Sequence, residues 1–200
     1  MTDAVEPRTP GKVAVIAHRG KTLGGGLDEL RASIAAERTA AGCTGEVAWY
    51  EVTTSRKAPR KVGAALAGGA DLIFVWGGDG MVQRCADALV GTDAAMAIVP
   101  AGTANLFARQ LGIPQTVAEA VRIGFHGRSR NLDLGWINGE HFAVMAGVGF
   151  DADMIGGAHG GLKNRLGRVA YVWTGLRTVN RRRVRTTVKM DGKTWFKGKA

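Results

Sequence analysis

Short β-forming runs alternate with helical stretches through the first two thirds of the chain, and this alternation restricts the fold more than any other feature. Each run is compact and rich in branched or aromatic residues, as in strands buried within a sheet. The runs occupy residues 13–17, 47–52, 72–76 and 95–99, and helical patterns follow at 27–41, 59–67, 81–90, 105–111 and 116–125. This order predicts an α/β lobe over residues 12–128, with a parallel sheet between two layers of helices.

The pattern changes after residue 128. Two hairpins are expected there, because Asn138-Gly139 and Asp191-Gly192 favour two-residue turns. The flanking strands are predicted at 130–134 and 141–146 and at 184–190 and 193–199, with an amphipathic helix at 162–179. We therefore predict a second, β-rich and sandwich-like lobe over residues 129–200. That lobe is expected to be incomplete, since a lone hairpin at the end of a chain is marginally stable in water.

Composition narrows the class of protein. Apolar residues make up 46% of the chain and charged residues 22%, which is typical of a globular domain and excludes a disordered one. The longest apolar run, at 94–99, has six residues, whereas a membrane-spanning helix needs about 20. The polar N-terminus carries no secretory signal, and Cys43 and Cys85 have no metal-ligand spacing. We therefore expect a cytoplasmic protein.

The net charge of +10 is concentrated at the C-terminal end of the chain. Residues 1–160 hold 15 Lys/Arg and 16 Asp/Glu, whereas residues 161–200 hold 12 Lys/Arg and a single acid, Asp191. Such a surface attracts phosphates, whether they belong to anionic lipid or to nucleic acid. An acidic segment outside this sequence would instead neutralise it, and both interpretations stay open.

Gly77-Gly78-Asp79-Gly80 lies where the third strand gives way to a helix. Open parallel sheets bind ligands at the carboxyl ends of their strands. Glycines let a backbone approach a phosphate, and the N–H groups that open a helix attract anions. Asp79 would repel a bare phosphate, but it fits this loop if it binds the magnesium that accompanies a nucleotide. A tight turn with Asp79 as the helix N-cap is the alternative that the tetrapeptide leaves open.

A second loop of this kind, Pro100-Ala101-Gly102-Thr103-Ala104-Asn105, follows the next strand. It again places a glycine and a hydroxyl before a helix, although Thr103 or Asn105 would equally serve as the cap of that helix. Thr53-Thr54-Ser55 ends the second strand at the same edge, either as a further phosphate contact or as an ordinary turn. Glycine loops at two successive strand ends favour a shared nucleotide site.

In combination, these motifs resemble the diacylglycerol kinase catalytic-domain family, which includes bacterial lipid kinases and sphingosine kinases. The resemblance covers residues 12–200. It rests on the strand that leads into Gly77–Gly80, the stretch Pro100–Arg109 with Leu-Gly-Ile-Pro at 111–114, and Gly-Val-Gly-Phe-Asp-Ala at 147–152. The family implies an ATP-binding α/β lobe and a β-sandwich lobe. It also implies transfer of the γ-phosphate of ATP to a lipid hydroxyl, such as that of diacylglycerol, in the cleft between the lobes.

The resemblance also implies roles for particular residues. Asp79 would engage Mg²⁺ and serve as the catalytic carboxylate. Asp133, in Asn-Leu-Asp-Leu-Gly, matches an acid near the junction of the lobes and is a second candidate magnesium ligand, and Asp151 matches the acid of Gly-Phe-Asp-Ala. Asn105 would support the loop in which it lies. The ATP-binding residues that the resemblance implies are Gly77, Gly78, Asp79, Gly80, Thr103, Asn105 and Thr54.

The chain departs from the family pattern at three places. Met81 follows the first glycine loop where the family usually has threonine, and Ala17-His18 ends the first strand where Asn-Pro is common. Bacterial members are longer, and their proposed general base is a carboxylate in an Asp-Gly-Glu-like segment near the C-terminus, which lies beyond residue 200. Asp79 would then have to act as the base, or this chain would bind nucleotide without turnover.

Together these features predict a lipid kinase that uses ATP and Mg²⁺ in the cytoplasm, peripheral to the inner face of the membrane. Basic residues within 163–199 would contact the anionic membrane surface, and a homodimer is left open. An NAD kinase is the nearest alternative enzyme, because that family also uses GGDG, but the Asn-Glu expected downstream is absent. No nucleic-acid partner is predicted, since Trp195 and Phe196 are too few aromatic residues for stacking on bases.

Overall fold

The computed structural model describes residues 4–5, 9–22, 26–144 and 185–199. The chain divides into two compact units, Met1–Val144 and Met145–Ala200. The boundary near residue 128 and the lobe limits 12–128 and 129–200 stay predictions, although residues up to Val144 group with the first unit by their contacts. The predicted helix at 162–179, Asp151 and the basic residues between 163 and 184 lie outside the described residues.

The first unit alternates strands and helices as the sequence predicts. Its strands are β1 (Ala4–Val5), β2 (Val13–His18), β3 (Ala48–Val52), β4 (Leu72–Gly77), β5 (Ala95–Pro100), β6 (Ser129–Arg130), β7 (Gly135–Ile137) and β8 (Glu140–Phe142). Its helices are α1 (Gly26–Ala40), α2 (Ala58–Ala67), α3 (Asp79–Leu89), α4 (Leu106–Gln110) and α5 (Val117–His126), with a 3-10 turn at Ser55–Lys57. The second unit is described at β9 (Arg185–Met190) and β10 (Lys193–Lys199).

Four parallel strands in the order β3-β2-β4-β5 form the central sheet. Every residue of β4 is buried, which explains why its sequence is an unbroken apolar run rather than an alternating one. One face of the sheet packs against α1 and α5, and the other packs against α2, α3 and α4. The predicted three-layer α/β fold is confirmed.

Helix α5 approaches the sheet very closely at Gly124. A Cβ atom added there would lie 2.3 Å from Cε1 of Phe74 and 2.8 Å from Cβ of Ala97. The ring of Phe74 in turn packs against Phe125, with 5.0 Å between the ring centroids. The absence of a side chain at Gly124 thus sets the distance between this helix and the strands whose ends carry the glycine loops.

The first predicted hairpin is present, but its strands differ from the prediction. The expected strand at 130–134 is wrong, because pairing is confined to β6 and to β7. Asn138 and Gly139 have φ values of 50° and 85°, so the turn has two residues and Ile137 pairs directly with Glu140. Strand pairing begins at the residues that flank a two-residue turn, and this places β7 immediately before the turn.

The β7–β8 hairpin is attached to α3 through two polar side chains. The side-chain amide of Gln83 donates to the carbonyl of His141 and accepts from the N–H of Ala143. Oδ1 of Asp87 accepts from the N–H of His141 at 3.0 Å and lies 2.8 Å from its Nδ1. These hydrogen bonds from His141 hold the pKa of Asp87 below its usual value. They explain why residues up to Val144 belong to the first unit.

The second hairpin agrees with the sequence. Asp191 and Gly192 have φ values of 50° and 77°, as a two-residue turn requires. Met190 pairs with Lys193, and the register shifts by one residue between Thr194 and Phe196, which leaves Trp195 in a bulge. Within the described part of the chain, no helix is long and apolar enough to cross a membrane.

Candidate functional site

The loops that the sequence singled out leave the sheet side by side. The strand register pairs His18 with Val52 and Gly77 with Pro100, and the adjacent pair Ala17 and Trp76 aligns β2 with β4. From β2 the chain crosses to β3 on one side, and from β4 it crosses to β5 on the other. The topological switch point therefore lies between β2 and β4, where open α/β sheets bind ligands.

The two glycine loops touch each other through their backbones. A Cβ atom added to Gly78 would lie 2.9 Å from Cα of Gly102, and one added to Gly102 would lie 2.5 Å from Cα of Gly78. Any larger residue at either position would therefore force the loops apart. The structure thus brings the segments 77–80 and 102–105 together at one end of the sheet, as a shared site requires.

Helix α3 begins inside the first glycine loop, two residues before the predicted start. Gly78 is the N-cap, in an extended conformation, and its carbonyl accepts from the N–H groups of Met81 and Val82. The alternative in which Asp79 is the N-cap is therefore wrong. The N–H groups of Asp79 and Gly80 belong to the first turn and have no acceptor within the helix, which leaves them for a ligand.

The carboxylate of Asp79 caps a different helix. Its Oδ1 accepts from the N–H of Phe107 at 3.2 Å, in the first turn of α4. One half-buried side chain therefore fixes the start of α4, and with it the 101–105 loop, against the first glycine loop. Sequence reasoning missed this role, because a cap that comes from 28 residues away leaves no local signal.

Asn105 shapes the second glycine loop from inside. It is 5% exposed and is the one buried polar or charged residue among those the structure describes. Its φ of 49° places it in the left-handed region, which asparagine tolerates better than most residues. Its Oδ1 accepts from the N–H of Gly102 at 2.8 Å and its Nδ2 donates to the carbonyl of Gly102 at 3.0 Å. The side chain of Asn105 therefore holds this loop through two hydrogen bonds and does not cap α4, while its part in ATP binding stays a prediction.

Gln115 completes the hydrogen bonds of Asn105 and was not predicted from the sequence. Its Oε1 accepts the second Nδ2 hydrogen of Asn105 at 2.9 Å, and its Nε2 donates to the carbonyl of Ile113 at 3.1 Å. Both N–H hydrogens of the buried Asn105 side chain therefore have an acceptor, and its oxygen has a donor. A half-buried glutamine after a proline carries no sequence signal for such a role.

Replacing Gln115 by leucine is expected to lower the free energy of unfolding by about 1–3 kcal/mol. The substitution leaves an N–H of buried Asn105 without an acceptor, which costs about that amount. Gln115→Glu keeps an accepting oxygen and should retain most of the stability. Urea denaturation measures both changes, with Gln110→Leu on the exposed side of α4 as the matched control. Equal midpoints for Gln115→Leu and the unsubstituted chain would contradict this role.

The two threonines of the predicted site lie on the surface. Thr103 is exposed in the second glycine loop. Thr54 is also exposed; it precedes the 3-10 turn at Ser55–Lys57, makes no side-chain cap there, and the turn itself contacts α3. Thr103 thus lies within the paired glycine loops, whereas Thr54 lies two strands away at the same edge.

His18 stands at the end of β2, next in register to Gly77. Its Nδ1 accepts from the N–H of Gly20 at 3.1 Å. Burial and then the nearby ammonium group of Lys21 hold the pKa of His18 below its usual value, so the ring is neutral at pH 7. This loop therefore presents a neutral ring and a lysine on the side of the switch point opposite Asp79.

Asp133 lies outside the glycine loops but close to α4. It is exposed between β6 and β7 and lines a cavity of about 240 Å³ together with Phe107, Leu111 and Arg130. Asp79 therefore contacts the first turn of α4, whereas Asp133 lies in the cavity beside that helix. Within the residues described, no group of three His, Cys, Asp or Glu side chains converges as a protein-only metal site would require.

Comparison with known proteins gives a consistent result. The profile of the family described as the diacylglycerol kinase catalytic domain matches residues 13–137. A "Probable lipid kinase YegS-like" from Pseudomonas aeruginosa (strain UCBPP-PA14) is 39% identical over 167 residues, covering 82% of this chain and 53% of that protein. An uncharacterized protein, sll0036, of Synechocystis sp. is 40% identical over 108 residues, covering 54% of this chain and 25% of its own length.

A solved structure extends the likeness to the fold. A crystal structure of a diacylglycerol kinase from Bacillus anthracis str. Sterne superposes with a TM-score of 0.75 and 27% identity, covering 96% of this chain and 63% of that chain. The chain spans about half the length of the Pseudomonas aeruginosa protein that it matches.

Proposed function

Because the chain belongs to the diacylglycerol kinase catalytic-domain family, we propose that it is the nucleotide-binding part of a lipid kinase that transfers the γ-phosphate of ATP to a lipid hydroxyl. The acceptor would be a diacylglycerol-like lipid. The single observation that carries the proposal is the backbone contact between Gly78 and Gly102, which brings the two glycine loops together at the ligand-binding edge of the sheet.

The nucleotide phosphates would lie over the paired glycine loops. The N–H groups of Asp79 and Gly80 at the start of α3 offer hydrogen bonds to phosphate oxygens, and the helix dipole favours their charge. The hydroxyl of Thr103 adds a donor from the second loop. Gly77 and Gly78 would support the site through close packing, because a Cβ atom on Gly77 would meet Met81 and one on Gly78 would meet Gly102. Thr54 would approach the same nucleotide from β3.

Magnesium fits the donor set of this site. Mg²⁺ is usually held by one or two carboxylates together with substrate phosphates and waters, rather than by an all-protein cage. Asp79 offers a half-buried carboxylate in which one oxygen is fixed by the N–H of Phe107, which orients the other oxygen. Asp79 would hold the ion, with Asp133 as a further ligand. When bound, it would neutralise charge on the phosphates.

The proposed reaction is a direct phosphoryl transfer. The lipid oxygen forms a bond to the γ-phosphorus, the bond between that phosphorus and the β–γ bridging oxygen breaks, and ADP leaves with that oxygen. The proton of the lipid hydroxyl passes to a carboxylate, and Asp79 is the candidate among the described residues. The protein contributes mainly position and charge, which is where most catalysis of phosphoryl transfer originates.

Nucleotide binding and turnover are separable tests of this proposal. We expect calorimetry to detect binding of ATP that strengthens when Mg²⁺ is added, and we expect ADP release to rise when mixed lipid acceptors are supplied in vesicles. Binding without turnover would assign to this chain only the nucleotide-binding step. If NAD⁺ is phosphorylated and no lipid is, the result would favour an NAD kinase. Absence of any ATP binding would overturn the proposal.

A further inference from the structure

The hairpin formed by β9 and β10 separates its charged and apolar side chains onto two faces. Side chains alternate along a strand, and residues that pair directly across an antiparallel ladder share a face. The register pairs Arg185 with Lys199, Thr187 with Lys197, and Lys189 with Thr194. The face built from these six residues, here called the cationic face, therefore carries four cations and two threonines.

The opposite face of the hairpin is largely apolar. Val188 pairs with Phe196, and Met190 pairs with Lys193 near the turn. Gly198 makes room for the ring of Phe196 on this face, since a Cβ atom there would lie 2.8 Å from its Cζ. Val188 and Phe196 are each 39% exposed and Met190 is 62% exposed, so charge rather than burial distinguishes the cationic face as the one that an anionic partner would contact.

The charge on the cationic face has no acidic counterpart in the hairpin. Asp191, in the turn, is the one acid between residues 185 and 199. Arg185 stands directly opposite Lys199, and like charges in that position destabilise a ladder. A surface that concentrates repelling cations in this way is stabilised when an anionic partner covers it.

The aromatic residue at the bulge favours one kind of anionic partner. Trp195 lies where the register shifts, and it is 72% exposed. Tryptophan beside lysine and arginine is typical of protein surfaces that rest at the headgroup level of a bilayer. A nucleic-acid surface would instead need several aromatic residues for stacking on successive bases.

We propose that the cationic face of the β9–β10 hairpin binds the anionic surface of a phospholipid bilayer. The proposal rests on the proposed lipid kinase function, because an enzyme whose acceptor is a lipid must work at such a surface. It narrows the contact to Arg185, Lys189, Lys197 and Lys199, with Trp195 entering the headgroup layer.

The test compares two double variants of the 200-residue chain that lose the same charge. Lys189→Ala with Lys197→Ala removes two cations of the cationic face, whereas Lys193→Ala with Arg122→Ala removes one cation from the opposite face and one from α5. Co-sedimentation with phosphatidylglycerol vesicles should show binding about 25-fold weaker for the first variant, at about fivefold per cation. The second variant should lose less than about fivefold, and high salt should abolish the difference.

Two further measurements separate this proposal from the proposed function. Binding of Mg·ATP should be the same in both double variants, because neither touches the glycine loops; loss of ATP binding in the unsubstituted chain would overturn the kinase proposal instead. Equal vesicle binding by the two variants, or equal binding to neutral phosphatidylcholine, would overturn the membrane proposal. Single-stranded RNA that displaces the chain from anionic vesicles, through the same lysines, would reassign the surface to nucleic acid.

Discussion

Replacing Asp79 by asparagine is expected to reduce lipid-dependent phosphoryl transfer by about 10²–10⁴-fold, the range for loss of a catalytic carboxylate. The asparagine keeps an oxygen that accepts from the N–H of Phe107, so the link between α3 and α4 survives. The charge that would hold Mg²⁺ and take the proton is lost. Turnover should therefore fall while the free energy of unfolding changes little.

Two companion variants separate charge from structure. Asp79→Ala removes the cap of α4 as well as the charge, and it should cost about 1 kcal/mol of stability in addition to activity. Asp93→Asn, an exposed acid after α3, is the matched control and should leave both unchanged. If the chain binds ATP without turnover, Asp79→Asn should instead abolish the gain in ATP affinity that Mg²⁺ produces. Full activity in Asp79→Asn would contradict its assigned role.

Replacing Gly102 by alanine is expected to weaken Mg·ATP binding by at least about tenfold, because misplacement of binding groups by an ångström is costly. The added Cβ would lie 2.5 Å from Cα of Gly78 and 2.7 Å from Oδ1 of Asn105. Neither clash can be relieved by rotating a side chain, because Cα of Gly78 is backbone and the amide of Asn105 is held by hydrogen bonds. The free energy of unfolding should also fall by about 1–3 kcal/mol.

The control for this change is a glycine with open space around it. A Cβ atom on Gly63, within α2, would meet nothing within 4 Å. Gly63→Ala should therefore raise stability by up to about 1 kcal/mol, because alanine favours a helix, and should leave ATP binding unchanged. Chemical denaturation and calorimetry on both variants decide the matter. Normal ATP binding by the Gly102→Ala variant would show that the two loops need not touch.

The positions of the loops were predictable from the sequence because they depend on local patterns. Compact apolar runs followed by glycine are typical of parallel strands that end at a ligand-binding edge, and the structure places Gly77 and Pro100 in register as that reasoning requires. Both two-residue turns were likewise predictable, since Asn-Gly and Asp-Gly tolerate positive φ values.

The features that could not be predicted depend on contacts between distant segments. Nothing near Asp79 in the sequence indicates that its carboxylate caps α4, and nothing near Gln115 indicates that it serves Asn105. The wrong strand at 130–134 has a different cause. Leu132 and Leu134 alternate as in a strand, but the turn at 138–139 fixes the pairing immediately beside itself. Alternation alone therefore does not locate a short strand.

The hydrogen bond between Asp79 and Phe107 gives this protein a built-in spectroscopic reporter. The amide proton of Phe107 points at the carboxylate whose charge the proposed chemistry uses. Its nuclear magnetic resonance frequency should therefore respond to whatever binds or protonates that carboxylate. Occupancy of the first glycine loop becomes visible at a backbone atom of another helix, without a lipid, a coupled assay or a labelled nucleotide.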